Sequence, residues 1–140
     1  MNLHKAFEVA VVGRVHSSLV DRASAPLQGS EGAPDARIEI EPAFSKGLEG
    51  IEVGQHIWVL TWLHQSERST LFLHPRGDAH QPMKGVFSTR SPARPNPIGL
   101  HRVTVLRSDG RKWLEVSGLE AIDGTPVIDI KPVIEHAGDF

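Results

Sequence analysis

Apolar and polar positions alternate along this chain with a period nearer two than three or four, which predicts strands rather than helices. Residues 7–15 read FEVAVVGRV, rich in β-branched side chains, and end in a polar stretch. Residues 37–41 (RIEIE) alternate strictly, as a half-buried strand should. Residues 57–63 (IWVLTWL) are almost continuously apolar, which suits a central strand with Trp58 and Trp62 in the core. Shorter strands are predicted over 70–73 and 86–89. Residues 100–107 and 113–117 flank Ser108-Asp109-Gly110-Arg111, where Asp-Gly suits the positive φ angles of a tight hairpin turn. A last strand is predicted over 126–130, with Asp129 turned away from the core between Ile128 and Ile130.

The one helix this pattern allows is short. Residues 42–50 open on a proline, whose fixed φ fits a first helical turn, and Gly47 or Gly50 can end it. Residues 16–35 have no period and collect Ser, Gly, Pro, Ala and Asp. An excursion of that length in a compact domain is more often functional than idle. Many short strands, a hairpin and little helix predict an all-β fold, a mainly antiparallel β-barrel with one or two short helices.

Length and composition narrow the class. At 140 residues, with 39% hydrophobic and 23% charged positions, the chain fits one soluble domain spanning 1–140. No stretch approaches the roughly 18 apolar residues of a membrane span, and the N-terminus lacks a secretory pattern, so a cytoplasmic location is expected. The absence of cysteine removes disulfides, thiolate zinc sites and cysteine nucleophiles together. The eight histidines are scattered, and no metal site is expected.

The net charge of −2 conceals a segregation. Residues 74–112 hold eight Lys/Arg against two Asp/Glu, whereas residues 1–73 hold six against nine and residues 113–140 one against six. A basic block in an acidic protein points to an anionic partner such as phosphate or RNA, and equally fits a solvated strand face. Within it, residues 85–100 read GVFSTRSPARPNPIGL. Pro92, Pro95 and Pro97 fix their own φ angles and bias their predecessors toward extended geometry, so Arg90, Arg94 and Asn96 sit in a loop that loses little entropy on ordering.

That segment resembles the signature GVFATRSPxRPNPIG of the TsaA-like family, whose TrmO-type members are tRNA methyltransferases. The likeness extends to GLEGI at 47–51 before WVL at 58–60, to His64-Gln65, and to LEAIDGTPVIDIKP at 119–132. The resemblance implies a homodimeric barrel methyltransferase with S-adenosylmethionine as cofactor, acting on N6 of threonylcarbamoyladenosine at position 37 of tRNA. It also implies a short form without the C-terminal substrate domain of longer members. By the same analogy the cofactor lies against Pro26, Leu27 and Gln28, His64 and Gln65, Arg90 and Leu100, and Glu120, Ala121, Ile122 and Asp123.

Chemistry fits those positions. Arg90 suits a carboxylate in bidentate fashion, and Glu120 or Asp123 suits an ammonium or ribose hydroxyls. Arg94 and Asn96 are expected at the substrate. The proton leaving the acceptor nitrogen can go to His64 or to Asp123, and the sequence does not choose between these two catalytic candidates. Two other readings use the same motifs: a non-catalytic module binding an S-adenosyl ligand or RNA, and a methyltransferase acting on a small molecule.

Overall fold

The computed structural model of this chain describes residues 5–20 and 32–135. Its strands are β1 (Gly13–His16), β2 (Ala36–Ile40), β3 (His56–Trp62), β4 (Phe72–Leu73), β5 (Lys84–Gly85), β6 (Ile98–Ser108), β7 (Trp113–Val116) and β8 (Pro126–Pro132). Six of them form one antiparallel sheet in the order β1-β2-β7-β6-β3-β8, and β8 pairs again with β1. The all-β expectation is met.

Alternation along each strand decides which face is inside. In β3, Ile57, Val59 and Thr61 are buried, and in β2 Ala36, Ile38 and Ile40 are. Their apolar members join Val15, Val103, Val105, Leu114, Val116 and Val127 in one core. Trp58 and Trp62 have the opposite parity and are only half-buried on the outer face, which corrects their placement in the core. A continuous apolar run does not reveal which of its two faces is inside.

Three further expectations change. Residues 7–12 are not a strand, because β1 begins only at Gly13 and residues 5–10 are exposed. Residues 86–89 form a 3-10 turn (Val86–Ser88) instead of a strand. Ser88 Oγ donates to the Gly85 carbonyl and Thr89 Oγ1 to that of Val86, local side-chain bonds that compete with extended pairing. The expected helix over 42–50 is a 3-10 helix, Pro42–Leu48, with proline in its first turn and buried Leu48 anchoring its end. Among the described residues no helix is long and apolar enough to cross a membrane.

The hairpin forms where expected, although of the Asp-Gly pair Gly110 alone has a positive φ. Gly110 has φ +71°, and Asp109 Oδ1 accepts the backbone N–H groups of Arg111, Lys112 and Trp113 at 3.0, 2.8 and 2.9 Å. These amides, that of Trp113 foremost, hold the carboxyl down at about 2.

Because every neighbouring pair is antiparallel, the connections alternate between two ends of the sheet. Residues 17–35, 63–97 and 117–125 leave from one end, and residues 41–55 and 109–112 from the other.

Candidate functional site

One end of the sheet, which carries the 63–97 and 117–125 connections, gathers the described residues that the sequence singles out for chemistry. Pro26, Leu27 and Gln28 lie outside the described residues. His64 and Gln65 are exposed in the turn just beyond β3, where Leu63 N donates to the Pro97 carbonyl at 2.8 Å and Ser66 N to that of Leu63 at 3.0 Å. The β3 turn is therefore fastened to the proline loop.

A residue the sequence reading missed strengthens that fastening. Arg68 donates from Nε to the Pro95 carbonyl at 2.8 Å and from a terminal nitrogen to Asn96 Oδ1 at 3.3 Å. Its guanidinium also lies 5.0 Å from the Trp62 ring centre. Asn96 thus spends its side-chain oxygen on the loop, and nothing in the spacing of a lone arginine at 68 signals this.

Arg94 is braced inward. It donates to the carbonyls of Thr89, at 3.1 and 3.2 Å, and of Val86, while its own N–H reaches the Glu67 carbonyl at 3.0 Å. Half-buried and committed to backbone oxygens, Arg94 holds the loop's shape, where an outward substrate contact was expected. Arg94→Ala is expected to lower stability by about 2 kcal/mol in urea denaturation, the cost of leaving such carbonyls without a charged donor. An unchanged midpoint would show that the loop stands without it.

Arg90 behaves differently. It is exposed, and a terminal nitrogen makes only a long 3.4 Å contact to the Leu100 carbonyl at the start of β6. Leu100 itself is 43% exposed on the outer face of that strand.

The 120–125 turn packs against the chain leaving β1. Asp123 N donates to the Leu19 carbonyl at 2.6 Å, and its Oδ1 accepts the Ser17 N–H at 3.0 Å. Gly124, at φ +84°, donates to the Val15 carbonyl at 2.7 Å, a conformation that a side chain would strain. Thr125 Oγ1, fully buried, donates to the Ile122 carbonyl at 2.7 Å. Ala121 and Ile122 are buried, Glu120 is half-buried and Asp123 is exposed, so the turn's apolar members are inside and Asp123 is at the surface.

Beneath these loops lies a second constellation that the sequence did not announce. Thr61, Gly99 and His101 share the inner face of β3 and β6, and the fully buried Thr61 hydroxyl meets His101 Nε2 at 2.8 Å. A Cβ on Gly99 would stand 2.3 Å from Thr61 Oγ1 and 2.5 Å from His101 Nε2. Glycine is there because the imidazole crosses over it. Burial, assisted by the nearby Arg90 charge, pushes the His101 imidazole down from 6.5 to about 4.

The basic block does not make one patch. Arg90 and Arg94 belong to the site loops, Arg102 pairs with Glu135 at 3.0 Å, and Lys112 pairs with Glu39 at 3.2 Å by the far hairpin.

Residues 14–139 match the family described as tRNA-methyltransferase O N-terminal domain. The chain is 47% identical over 124 residues to a probable S-adenosyl-L-methionine-binding protein of Methanothermobacter thermautotrophicus, covering 89% of this chain and 88% of that one. It is 47% identical over 121 residues to a probable S-adenosyl-L-methionine-binding protein of Archaeoglobus fulgidus, covering 86% of this chain but 32% of the relative. A crystal structure of TrmO from Pseudomonas aeruginosa superimposes with a TM-score of 0.76 at 31% identity, over 96% of this chain and 59% of the solved one.

Proposed function

The chain belongs to the tRNA-methyltransferase O N-terminal domain family, and on that premise we propose that it binds S-adenosylmethionine and methylates N6 of threonylcarbamoyladenosine at position 37 of tRNA. We read the closed ring of pairing as a small barrel whose loop-bearing end holds the cofactor, and the active protein as a homodimer working in the cytoplasm. The supporting observation is the convergence of the 63–97 and 117–125 connections, with an exposed Arg90 and an exposed Asp123, at one end of the sheet.

The donor set fits the cofactor. An exposed guanidinium answers its carboxylate, while Glu120 and Asp123 answer its ammonium and ribose hydroxyls. When bound, S-adenosylmethionine supplies an already activated methyl group, which leaves placement as the protein's main contribution. The braced proline loop provides it: Arg94 and Arg68 take up the loop's carbonyls, so that Arg90 is presented from a fixed backbone. Two groups are our candidates to accept the acceptor's proton: His64, exposed beyond β3, and Asp123, whose Oδ1 accepts the Ser17 N–H.

Two measurements test this. Labelled S-adenosylmethionine should transfer its methyl to bulk tRNA that contains threonylcarbamoyladenosine and not to tRNA that lacks it. Transfer to neither, with cofactor still raising the melting temperature, would favour a binding module instead. Arg90→Ala should weaken cofactor binding by about tenfold to a hundredfold, the worth of roughly 1.5–3 kcal/mol for a charge-assisted bond. Arg90→Lys should recover only part, since a point charge cannot reproduce a planar fork. Equal affinity in wild type and Arg90→Ala, by calorimetry, would remove Arg90 from the site.

A further inference from the structure

We propose that the β4–β5 ribbon is a platform on which unpaired RNA bases stack beside the nucleotide being methylated; this rests on the tRNA reading above and gives it a surface. The starting observation is a glycine that the fold does not require. Gly85 has φ −62° and ψ 143°, which any residue adopts, and a Cβ on it would meet only the Leu71 carbonyl oxygen, at 3.9 Å, among the described residues beyond its chain neighbours. Glycine weakens a strand, and where neither conformation nor crowding calls for it, it marks a close approach by a partner. Gly99 is the contrast, since there the imidazole already occupies the space.

The surroundings of that glycine are apolar and exposed. Gly85 pairs with Phe72, so the phenylalanine side chain and the open backbone share one face of the ribbon. Phe72 is 67% exposed, and Met83 and Phe87, two residues to either side of Gly85, are 56% and 85% exposed. Exposed apolar side chains gathered in this way mark an interaction site. The ribbon is also held in place. Val86 N donates to the Leu71 carbonyl at 2.9 Å, the Val86 side chain is buried, and Arg94 donates to the Val86 carbonyl from the proline loop. The platform and Arg90 are therefore carried on one scaffold.

Charge selects the partner. Residues 68–90 hold Arg68, Arg76, Lys84 and Arg90, all exposed, against Asp78 alone, whose Oδ1 accepts the His80 N–H at 2.9 Å. Aromatic rings set among cations suit a single-stranded nucleic acid, because every base has a face to stack and every phosphate a charge to neutralise. A duplex hides its base faces and answers the cations only. A second copy of the chain fits less well. In a symmetric contact the same patch lies on both sides, so its cations would face one another.

A fluorescent single-stranded ribo-oligonucleotide of mixed sequence and its duplex are the probes, read by polarisation. The wild type should bind the single strand more tightly than the duplex, with an affinity that falls as salt rises. Phe72→Ala and Phe87→Ala should each weaken single-strand binding by about five- to a hundredfold, the range that alanine substitution of a stacking ring gives. Phe72→Trp should retain it. Gly85→Leu should keep the melting temperature, since a Cβ there has room, yet lose the single strand. Every variant should keep the thermal shift that S-adenosylmethionine produces. Unchanged single-strand affinity in both alanine variants overturns the platform, and if they also lose self-association in light scattering, the face belongs to a second copy. Failure of the platform with methyl transfer to tRNA intact leaves the functional reading standing. Phenylalanine-dependent binding without any transfer keeps the platform and overturns that reading.

Discussion

Gly99→Ala is expected to destabilise the protein by about 3 kcal/mol or more, which for a domain of this size lowers the melting temperature by roughly 10 °C. The new methyl would sit 2.3 Å from the Thr61 hydroxyl oxygen and 2.5 Å from His101 Nε2, so something must shift to admit it. Thr61 is fully buried at the end of the β3–β8 pairing, and His101 lies on β6 beside it. The imidazole would have to swing away and leave the threonine hydroxyl without its partner, adding the cost of a buried unsatisfied group. Gly47→Ala is the control: a Cβ there meets nothing within 4 Å, and the change should stay within about 0.5 kcal/mol. Combining Gly99→Ala with His101→Ala should recover only part of the loss, because the clash with Thr61 remains. A melting temperature for Gly99→Ala within two degrees of wild type would mean that the three groups do not pack as described.

The second large effect is acid destabilisation through His101. Folding lowers its titration from 6.5 to about 4, so between those values the unfolded chain holds a proton that the folded chain does not. Stability therefore falls as the pH drops from about 6.5, by up to about 1.4 kcal/mol per unit and about 3 kcal/mol in all by pH 4, and this residue adds no slope above 6.5. Three carboxylates among the described residues, Glu39, Glu67 and Asp109, are lowered from ordinary values of 4.5 or below, so their contributions are lost only in more acid solution. The window between pH 6.5 and 4.5 thus isolates His101 from them. Urea midpoints for wild type and His101→Asn across that window decide the matter. Parallel curves would show that the imidazole is hydrated in the folded state.

These two predictions rest on residues that sequence patterning did not single out. Strict alternation at 37–41 and the Asp-Gly pair at 109–110 were enough to place β2 and the hairpin, because each is a local property of the chain. The site loops were legible for the same reason: prolines at 92, 95 and 97 constrain their immediate neighbours. What could not be read was contact between distant segments. Gly99 carries no mark of the imidazole lying over it, Arg68 none of its bonds to Pro95 and Asn96, and Arg94 none of its turn inward toward Val86 and Thr89. The tryptophans at 58 and 62 show the complementary failure, for apolar character alone does not say which side of a sheet a residue occupies.

The alternation of connections between two ends has a practical corollary. The hairpin turn at residues 109–112 and the site loops leave opposite ends of the sheet, and the turn is exposed at Asp109, Gly110, Arg111 and Lys112. Exposed tips of this kind tolerate insertion. A biotin-acceptor peptide or a short tether placed between Gly110 and Arg111 would anchor the protein to a sensor chip with its loop-bearing end toward the solution. A nucleic acid or nucleoside flowed across that chip would then meet the site loops first.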